Sequence, residues 1–147
     1  EFHVAEWKNE GGLEKEAATC ASLAEAAMAN GKTAVVYTSR TVIDLSDQTP
    51  EQLLAISVRI SDALTSVVSR LAKRPRFLIA KGGITSSDVG TIALAVKKAR
   101  VLGQVQPGIP VWKIGEESRF PGMSYIIFPG NVGDEDTLRK IVEVLNR

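Results

Sequence analysis

The chain has 147 residues, the size of one ordinary globular domain, which predicts a single hydrophobic core. Hydrophobic residues make up 44% of it and charged residues 24%, a composition that excludes intrinsic disorder. Eighteen Lys and Arg against seventeen Asp and Glu leave a net charge of +1, which lacks the basic excess of a nucleic-acid-binding protein.

The chain contains one cysteine and one histidine, Cys20 and His3. They cannot form an internal disulfide or a structural zinc site, and a lone histidine near a terminus argues against Ser-His-Asp or Cys-His catalysis. No apolar run approaches the roughly 20 residues that cross a bilayer, and no export leader opens the chain. We therefore expect a soluble protein of a reducing cytoplasm, without membrane or nucleic-acid partners.

The first half of the chain predicts two helices and one strand. Residues 1–11 show no period and are interpreted as a linker or an added remnant, so the predicted domain covers residues 12–147. Apolar residues at helical spacing predict a helix from Gly12 to Asn30. The β-branched run from Thr33 to Tyr37 predicts a buried strand. Thr49 before Pro50 is a helix-start signal, and the helix that follows is expected to end near Lys73.

The second half alternates strands, glycine turns and helices. After a predicted strand from Arg76 to Lys81, Gly82 and Gly83 break the strand, and Thr85 to Asp88 offer helix N-caps. The following helix would carry one apolar face, made of Val89, Ile92, Ala93, Val96 and Ala99. Three more strands and a last helix are predicted at Val101–Val105, Ile109–Ile114, Ser124–Phe128 and Asp134–Asn146. The pattern predicts an α/β fold, a layered α/β/α domain with a mainly parallel or mixed sheet.

Two strand exits contain glycines, at residues 82–88 and 129–134. Ligands of open α/β sheets usually bind beyond the carboxyl ends of strands, so these two exits are the first candidates and could converge on one ligand. Glycine lets the backbone approach a phosphate, and the next helix offers unpaired N–H groups. Lys81 and the hydroxyls of Thr85, Ser86 and Ser87 would add further contacts.

Neither exit matches a general nucleotide motif. Gly82-Gly83 lacks the spacing of a Walker loop, and Gly130 to Gly133 lacks the glycine triplet of a dinucleotide fingerprint. Both exits are therefore also compatible with tight turns capped by serine and aspartate. The acidic run Asp134-Glu135-Asp136 would repel a phosphate, so we expect the second exit to contact the uncharged part of a nucleotide, or a phosphate only through a metal ion.

For the remaining polar candidates a structural role is the stronger interpretation. Arg119 has a planar donor fork suited to phosphate, but it lies in a loop that is also typical of a solvated connection. Asp44 and Asp47 carry oxygen ligands for Mg²⁺, although a solvated loop is the stronger interpretation. Cys20 is expected to pack as a small hydrophobic residue.

Four ordered blocks carry a resemblance to a known family. They are Lys81-Gly-Gly-Ile-Thr-Ser-Ser-Asp88, Gly103-Gln-Val-Gln-Pro-Gly-Ile-Pro-Val-Trp112, Glu117-Ser-Arg-Phe-Pro-Gly122 and Phe128-Pro-Gly-Asn-Val-Gly-Asp134. From about Ala34 onward the chain resembles the nucleotide-binding C-terminal domain of the four-carbon acid sugar kinase family, which includes 3-oxo-tetronate and threonate kinases.

The resemblance implies an ATP- and Mg²⁺-dependent kinase that phosphorylates a four-carbon sugar acid. It places the nucleotide at Gly82, Gly83, Ile84, Thr85 and Gly130. The loop chemistry adds a second set of candidate phosphate or nucleotide contacts, made of Lys81, Ser86, Asn131, Gly133 and Arg119.

The chain departs from the family pattern in two ways. Many relatives have Lys-Ser-Gly at the second exit, where this chain has Phe128-Pro129-Gly130. The N-terminal sugar-acid domain of the family and an early ATP-contacting serine are not recognisable, so we expect a partial enzyme whose catalytic residues lie in that domain and which is inactive without it. The sequence leaves open the metal ligands, the sugar acid and the oligomeric state, for which a homo-oligomer is one alternative. A non-catalytic nucleotide- or metabolite-binding module is the alternative; a redox domain is disfavoured by the lack of a dinucleotide fingerprint.

Overall fold

The computed structural model describes residues 1–147, which form two compact units, Glu1–Lys73 and Arg74–Arg147. None of the helices combines the length and the apolar character that crossing a membrane requires. Each unit is described by itself below.

The first unit contains two long helices, α1 (Gly12–Ala29) and α2 (Pro50–Ser69), after a short 3₁₀ helix at Val4–Lys8. The predicted cap of α2 is confirmed: the Thr49 hydroxyl accepts a hydrogen bond from the Gln52 N–H at 3.3 Å, and the Gln52 side chain accepts one from the Thr49 N–H at 2.8 Å. The helix ends before Lys73 because the Glu25 carboxylate accepts the Ala72 and Lys73 N–H groups, at 2.6 and 3.0 Å.

The strand predicted at Thr33–Tyr37 is wrong. The only extended pairing of this region is an isolated parallel bridge between Phe2 and Thr38, and Val35 is 61% exposed. A β-branched run becomes a strand only where neighbouring strands pair with it, and none does here. Phe2, within the predicted linker, is fully buried and pairs with both neighbours of Thr38, the Tyr37 carbonyl at 2.7 Å and the Ser39 N–H at 3.0 Å.

The second unit is built on a four-stranded sheet with the order β1-β4-β3-β2. Its strands are β1 (Phe77–Lys81), β2 (Ala99–Gln106), β3 (Ile109–Ile114) and β4 (Ser124–Phe128). The pair β1 and β4 is parallel, and the other two pairs are antiparallel. The α/β prediction is confirmed in its mixed form. The buried core of this sheet contains Ile109, Ile126, Phe128 and Ile141.

Two helices of the second unit are shorter than predicted. The segment after β1 forms α3 (Gly83–Asp88) and continues as a wider π-helical turn, Val89–Ala93. Val96 and Ala99 are therefore not on a helical face, since Ala95 takes a positive φ of 52° and β2 starts at Ala99. The last helix, α4, covers Thr137–Leu145 instead of starting at Asp134.

The N-cap prediction for the first of these helices is also wrong. Gly82, with φ +109°, is the N-cap of α3, and no side chain caps the helix. Thr85, Ser86, Ser87 and Asp88 lie inside it. Only glycine adopts this backbone conformation readily, so the turn itself and not a hydroxyl sets the start of the helix.

Candidate functional site

The two glycine exits lie side by side at one end of the sheet. Lys81 and Phe128 are partners in the parallel pair of β1 and β4, so both strands stop at the same level. The Gly82 N–H continues this ladder and donates to the Phe128 carbonyl at 2.9 Å. The expected meeting of the exits is therefore observed, and we call this region, Lys81–Thr85 and Pro129–Asp134, the glycine end.

The backbone of the glycine end is open. A Cβ atom added to Gly83 would meet no atom within 4 Å, and one added to Gly130 would lie 3.8 Å from the Gly82 Cα. Ile84 is 74% exposed although it is a large apolar residue. The first intrahelical bond of α3 runs from the Ser86 N–H to the Gly82 carbonyl at 2.9 Å, so the N–H groups of residues 83–85 have no acceptor within the helix.

Lys81 connects the two exits. Its ammonium group donates to the carbonyls of Pro129 and Gly130, each at 3.2 Å, and lies 4.1 Å from the centroid of the Phe128 ring. Two carbonyls and an aromatic face hold this exposed cation where the exits meet. The second exit thus has a positive charge beside it although its own sequence, Phe-Pro-Gly, contains no lysine.

The two hydroxyl candidates of α3 differ in position. Thr85 is half-buried, and its Oγ1 lies 3.6 Å from the place of a Cβ on Gly82, so it lies over the glycine turn. Ser86 is buried, and its hydroxyl donates to the Gly83 carbonyl at 3.2 Å. The Ser86 side chain is therefore bonded within its own helix.

Tyr125 fixes the first turn of α3 and was missed by the sequence reasoning. Its hydroxyl donates to the Ser86 carbonyl at 2.6 Å, and burial raises the pKa of this phenol. A Cβ added to Gly90 would lie 3.2 Å from the Tyr125 ring, so a glycine lets the helix pass closely over β4. The signal was present in the sequence, since a tyrosine in a buried strand needs a partner for its hydroxyl.

The second exit has an exposed tip and an acidic end. Asn131 and Gly133 are exposed, and Gly133 has a φ of +90°. The Asp134 carboxylate accepts hydrogen bonds from the Thr137 hydroxyl at 2.7 Å and from the Asp136 N–H at 3.0 Å. The bond from Thr137 is the main reason that the pKa of Asp134 is lowered, so this carboxylate is negatively charged at neutral pH.

Arg119 is not brought to the glycine end. Because β3 is antiparallel to β4, the loop Gly115–Met123 joins them at the start of β4, the opposite end of the sheet. The Arg119 N–H donates to the Leu94 carbonyl at 2.9 Å, and its guanidinium lies 5.6 Å from the Phe120 ring. We call this opposite region, Ala95–Lys98 and Gly115–Met123, the closed end.

The first unit shows no comparable arrangement. Asp44 accepts a hydrogen bond from the Ser46 N–H at 3.0 Å in a local turn, which lowers the pKa of its carboxyl. No group of three His, Cys, Asp or Glu side chains stands together as a candidate metal site anywhere in the chain. Cys20 is buried, as predicted, and burial raises the pKa of its thiol.

Comparison with known proteins agrees with this picture. Residues 2–138 match the family described as the nucleotide-binding C-terminal domain. A protein of the domain family DUF1537 from Bordetella bronchiseptica, a domain-swapped dimer with bound citrate, has a TM-score of 0.69 at 18% identity, over 97% of this chain and 33% of its own. Haemophilus influenzae protein HI1011, also of DUF1537, has a TM-score of 0.58 at 24% identity, over 98% and 34%.

These likenesses show a shared fold. The chain spans about a third of the length of the solved structures that it matches. No curated protein matches the chain.

Proposed function

Because the chain belongs to the family of nucleotide-binding C-terminal domains, we propose that it is the ATP-binding part of a kinase that phosphorylates a four-carbon sugar acid. The match to this family model confirms the expected nucleotide-binding C-terminal domain, and two DUF1537 proteins share its fold. The kinase activity and its substrate are our proposal.

The observation that carries the proposal is the opposition of two glycine backbones at the glycine end. The Gly82 Cα would be 3.8 Å from a Cβ on Gly130, so the backbones of the two exits approach each other at glycines. The N–H groups of residues 83–85, which have no acceptor within the helix, and a lysine cation lie beside this gap. Such a backbone cradle suits the oxygens of a phosphate chain, which are bulky and negatively charged.

Each residue of the cradle has a separate role in the proposal. The N–H groups of Gly83, Ile84 and Thr85 donate to phosphate oxygens at the start of α3. Lys81 adds a charge-assisted contact, and its two carbonyl partners keep it in place before the nucleotide arrives. When bound, ATP supplies the γ-phosphoryl group that is transferred to a sugar-acid hydroxyl.

Mg²⁺ is the second cofactor of the proposal. Magnesium in kinases is held mainly by nucleotide phosphates and water, with one or two carboxylates. A cluster of three protein ligands is therefore not required at the glycine end, and we assign no residue of this chain to the metal.

Transfer also needs an aligned acceptor hydroxyl and a group that takes its proton. We propose that a separate sugar-acid domain supplies both, so that the 147 residues alone bind nucleotide and do not turn over. We also propose a cytoplasmic location and self-association. The Bordetella relative is a domain-swapped dimer, which supports the second point, and light scattering of the purified chain tests it.

Isothermal titration of the 147-residue chain with ADP and ATP, with and without Mg²⁺, tests the nucleotide site. We expect saturable heat below millimolar nucleotide, and its absence would overturn the proposal. A coupled assay with threonate or 3-oxo-tetronate, on a full-length protein containing this domain, tests the kinase. Nucleotide binding without turnover there would favour a non-catalytic nucleotide-binding module.

A further inference from the structure

A cleft of about 280 Å³ adjoins the second exit. It lies between the turn that joins β2 to β3 and the end of the second exit. Its lining consists of Gln106, Pro107, Ile109, Val132, Gly133, Asp134 and Thr137. The turn stands at this end of the sheet because β3 is antiparallel to β4, so the start of β3 lies near the end of β4.

The chemistry of the cleft differs from that of the cradle. Pro107, Ile109 and Val132 give it apolar surface, while Gln106 offers an amide donor and acceptor. Its only charged lining residue is Asp134, which repels phosphate and accepts hydrogen bonds from hydroxyl or amino groups. A neutral, partly apolar group with hydroxyls fits this lining.

Asp134 has capacity for a ligand. Its Oδ1 accepts from Thr137 and Asp136, while its Oδ2 lies 3.6 Å from the Lys140 ammonium. The side chain is 68% exposed, and a carboxylate has about four lone-pair positions. A carboxylate is also the group that hydrogen-bonds the ribose 2′-hydroxyl in dinucleotide-binding folds, where it lies about 20 residues after the glycine loop.

We propose that the cleft binds the nucleoside part of the nucleotide, with the ribose hydroxyls on Asp134 and the base against Pro107 and Val132. This inference rests on the proposed phosphate cradle. The second exit connects the two places: it begins at Gly130, beside Gly82, and reaches Asp134 four residues later, a span of at most about 14 Å. A nucleotide lying along this loop has its phosphates at one end and its ribose at the other.

Asp134→Asn tests the contact with little disturbance of the fold, because the amide oxygen still accepts from Thr137 and Asp136. By titration calorimetry we expect ADP to bind about ten-fold more weakly, the size of one hydrogen bond to a charged group. The wild-type chain should bind 2′,3′-dideoxy-ADP as weakly as the variant binds ADP, and the variant should not distinguish the two ligands. Pyrophosphate, which reaches only the cradle, should bind the variant at least as tightly as the wild type, because the variant lacks the carboxylate that repels phosphate.

Asp136→Asn is the matched control. This variant removes a negative charge two residues from Asp134. The native Asp136 pairs with Arg139 and does not line the cleft, so the ADP affinity of the variant should equal that of the wild type. Gln106→Trp, which fills the cleft, should weaken the binding of ADP and leave the binding of pyrophosphate unchanged. Equal ADP affinities of all four proteins, or equal affinities of ADP and dideoxy-ADP, would overturn the inference. Failure of pyrophosphate and ADP to bind the wild type would instead overturn the proposed function.

Discussion

The two ends of the sheet in the second unit use similar residue types in opposite ways. At the closed end, Glu117 accepts the N–H groups of Lys97 and Lys98 at 2.9 and 2.7 Å. The next two residues also bond within the chain, as the Ser118 hydroxyl donates to the Gly115 carbonyl at 2.5 Å and the Arg119 N–H to Leu94. Polar groups here hold the turn between the π-helical segment and β2.

At the glycine end, few polar groups are used in this way. The exits are joined by the Gly82 N–H and by Lys81, while the N–H groups of residues 83–85 have no acceptor within α3, and the Asp134 side chain, bonded through Oδ1, remains 68% exposed. A loop rich in Gly, Ser and charged residues therefore indicates a binding site only when its hydrogen-bond donors are not already bonded within the chain.

Gly83→Asp should have the largest effect on the glycine end of all the variants considered. A side chain at Gly83 meets no atom within 4 Å, and an acidic residue in the first turn suits the helix dipole, so the fold should be retained. A carboxylate in the cradle would repel phosphate, and like charges in contact cost several kcal/mol, so ADP affinity should fall by about 100-fold or more. Titration calorimetry and thermal unfolding measure the two effects.

Thr91→Asp is its control. It adds the same charge to the exposed surface of the same helical segment, and we expect unchanged ADP binding. If Gly83→Asp binds ADP as well as this control does, the phosphates do not lie at the glycine end.

Tyr125→Phe tests how the helix at the glycine end is held in place, because the Tyr125 hydroxyl bonds the first turn of α3 to β4. Without it the buried Ser86 carbonyl keeps only the Val89 N–H as its donor, and the free energy of unfolding should fall by about 0.5–1.5 kcal/mol in urea denaturation, the net contribution of one hydrogen bond. Tyr37→Phe, at a half-exposed tyrosine of the first unit, should change little. Equal stabilities of the two variants would show that the hydrogen bond does not stabilise the helix.

The same tyrosine predicts a pH dependence. Burial raises the pKa of Tyr125 in the folded state above its ordinary value of 10, so the neutral phenol stabilises the fold. This stability is present below pH 10 and is lost as pH rises above it. The difference in unfolding free energy between wild type and Tyr125→Phe should therefore shrink in alkaline buffer, and a constant difference would contradict this assignment.

Glu117→Gln tests the closed end. Hydrogen bonds from backbone N–H groups, including those of Lys97 and Lys98, hold the pKa of Glu117 below its ordinary 4.5. The charged form stabilises the fold above pH 4.5, and that stability is lost as pH falls through the lower folded-state pKa. The variant should have a lower Tm than Glu116→Gln at pH 7, with the gap narrowing in acid, and unchanged ADP affinity. A loss of ADP binding would mean that the two ends are not independent.

Local signals in the sequence predicted the parts of the fold that depend on neighbouring residues. The Thr49 cap needs only Gln52, three residues on, and the glycine break after β1 needs only a backbone that accepts a positive φ. Their positions were correct because no distant partner is involved. The meeting of the two exits followed from one further condition, that their strands are parallel neighbours.

Distant partners decided the parts that the sequence did not predict. Thr33–Tyr37 has strand propensity but no ladder, and the helix after Gly83 ends in a π-helical turn that packs on Tyr125 and is followed by a positive φ at Ala95. The side-chain chemistry of Arg119 made it a candidate phosphate ligand. Because β3 is antiparallel to β4, however, its loop lies at the closed end. Lys81 bonds to Pro129 and Gly130, which follow it by 48 and 49 positions in the chain. A local sequence pattern does not predict contacts over such a separation.

Ile84→Ala should have the smallest of these effects and tests the glycine end without changing charge. Ile84 is 74% exposed at the cradle, and Ile92, further along the same helical segment, is 64% exposed. A nucleotide in the cradle would cover part of the first side chain and leave the second in water, so only Ile84→Ala should weaken ADP, by about three- to five-fold for partial burial of an isoleucine. Pyrophosphate occupies the same cradle and should lose affinity to a similar extent. Equal ADP affinities of Ile84→Ala and Ile92→Ala would mean that the nucleotide leaves the cradle directly toward solvent, away from the first turn of α3.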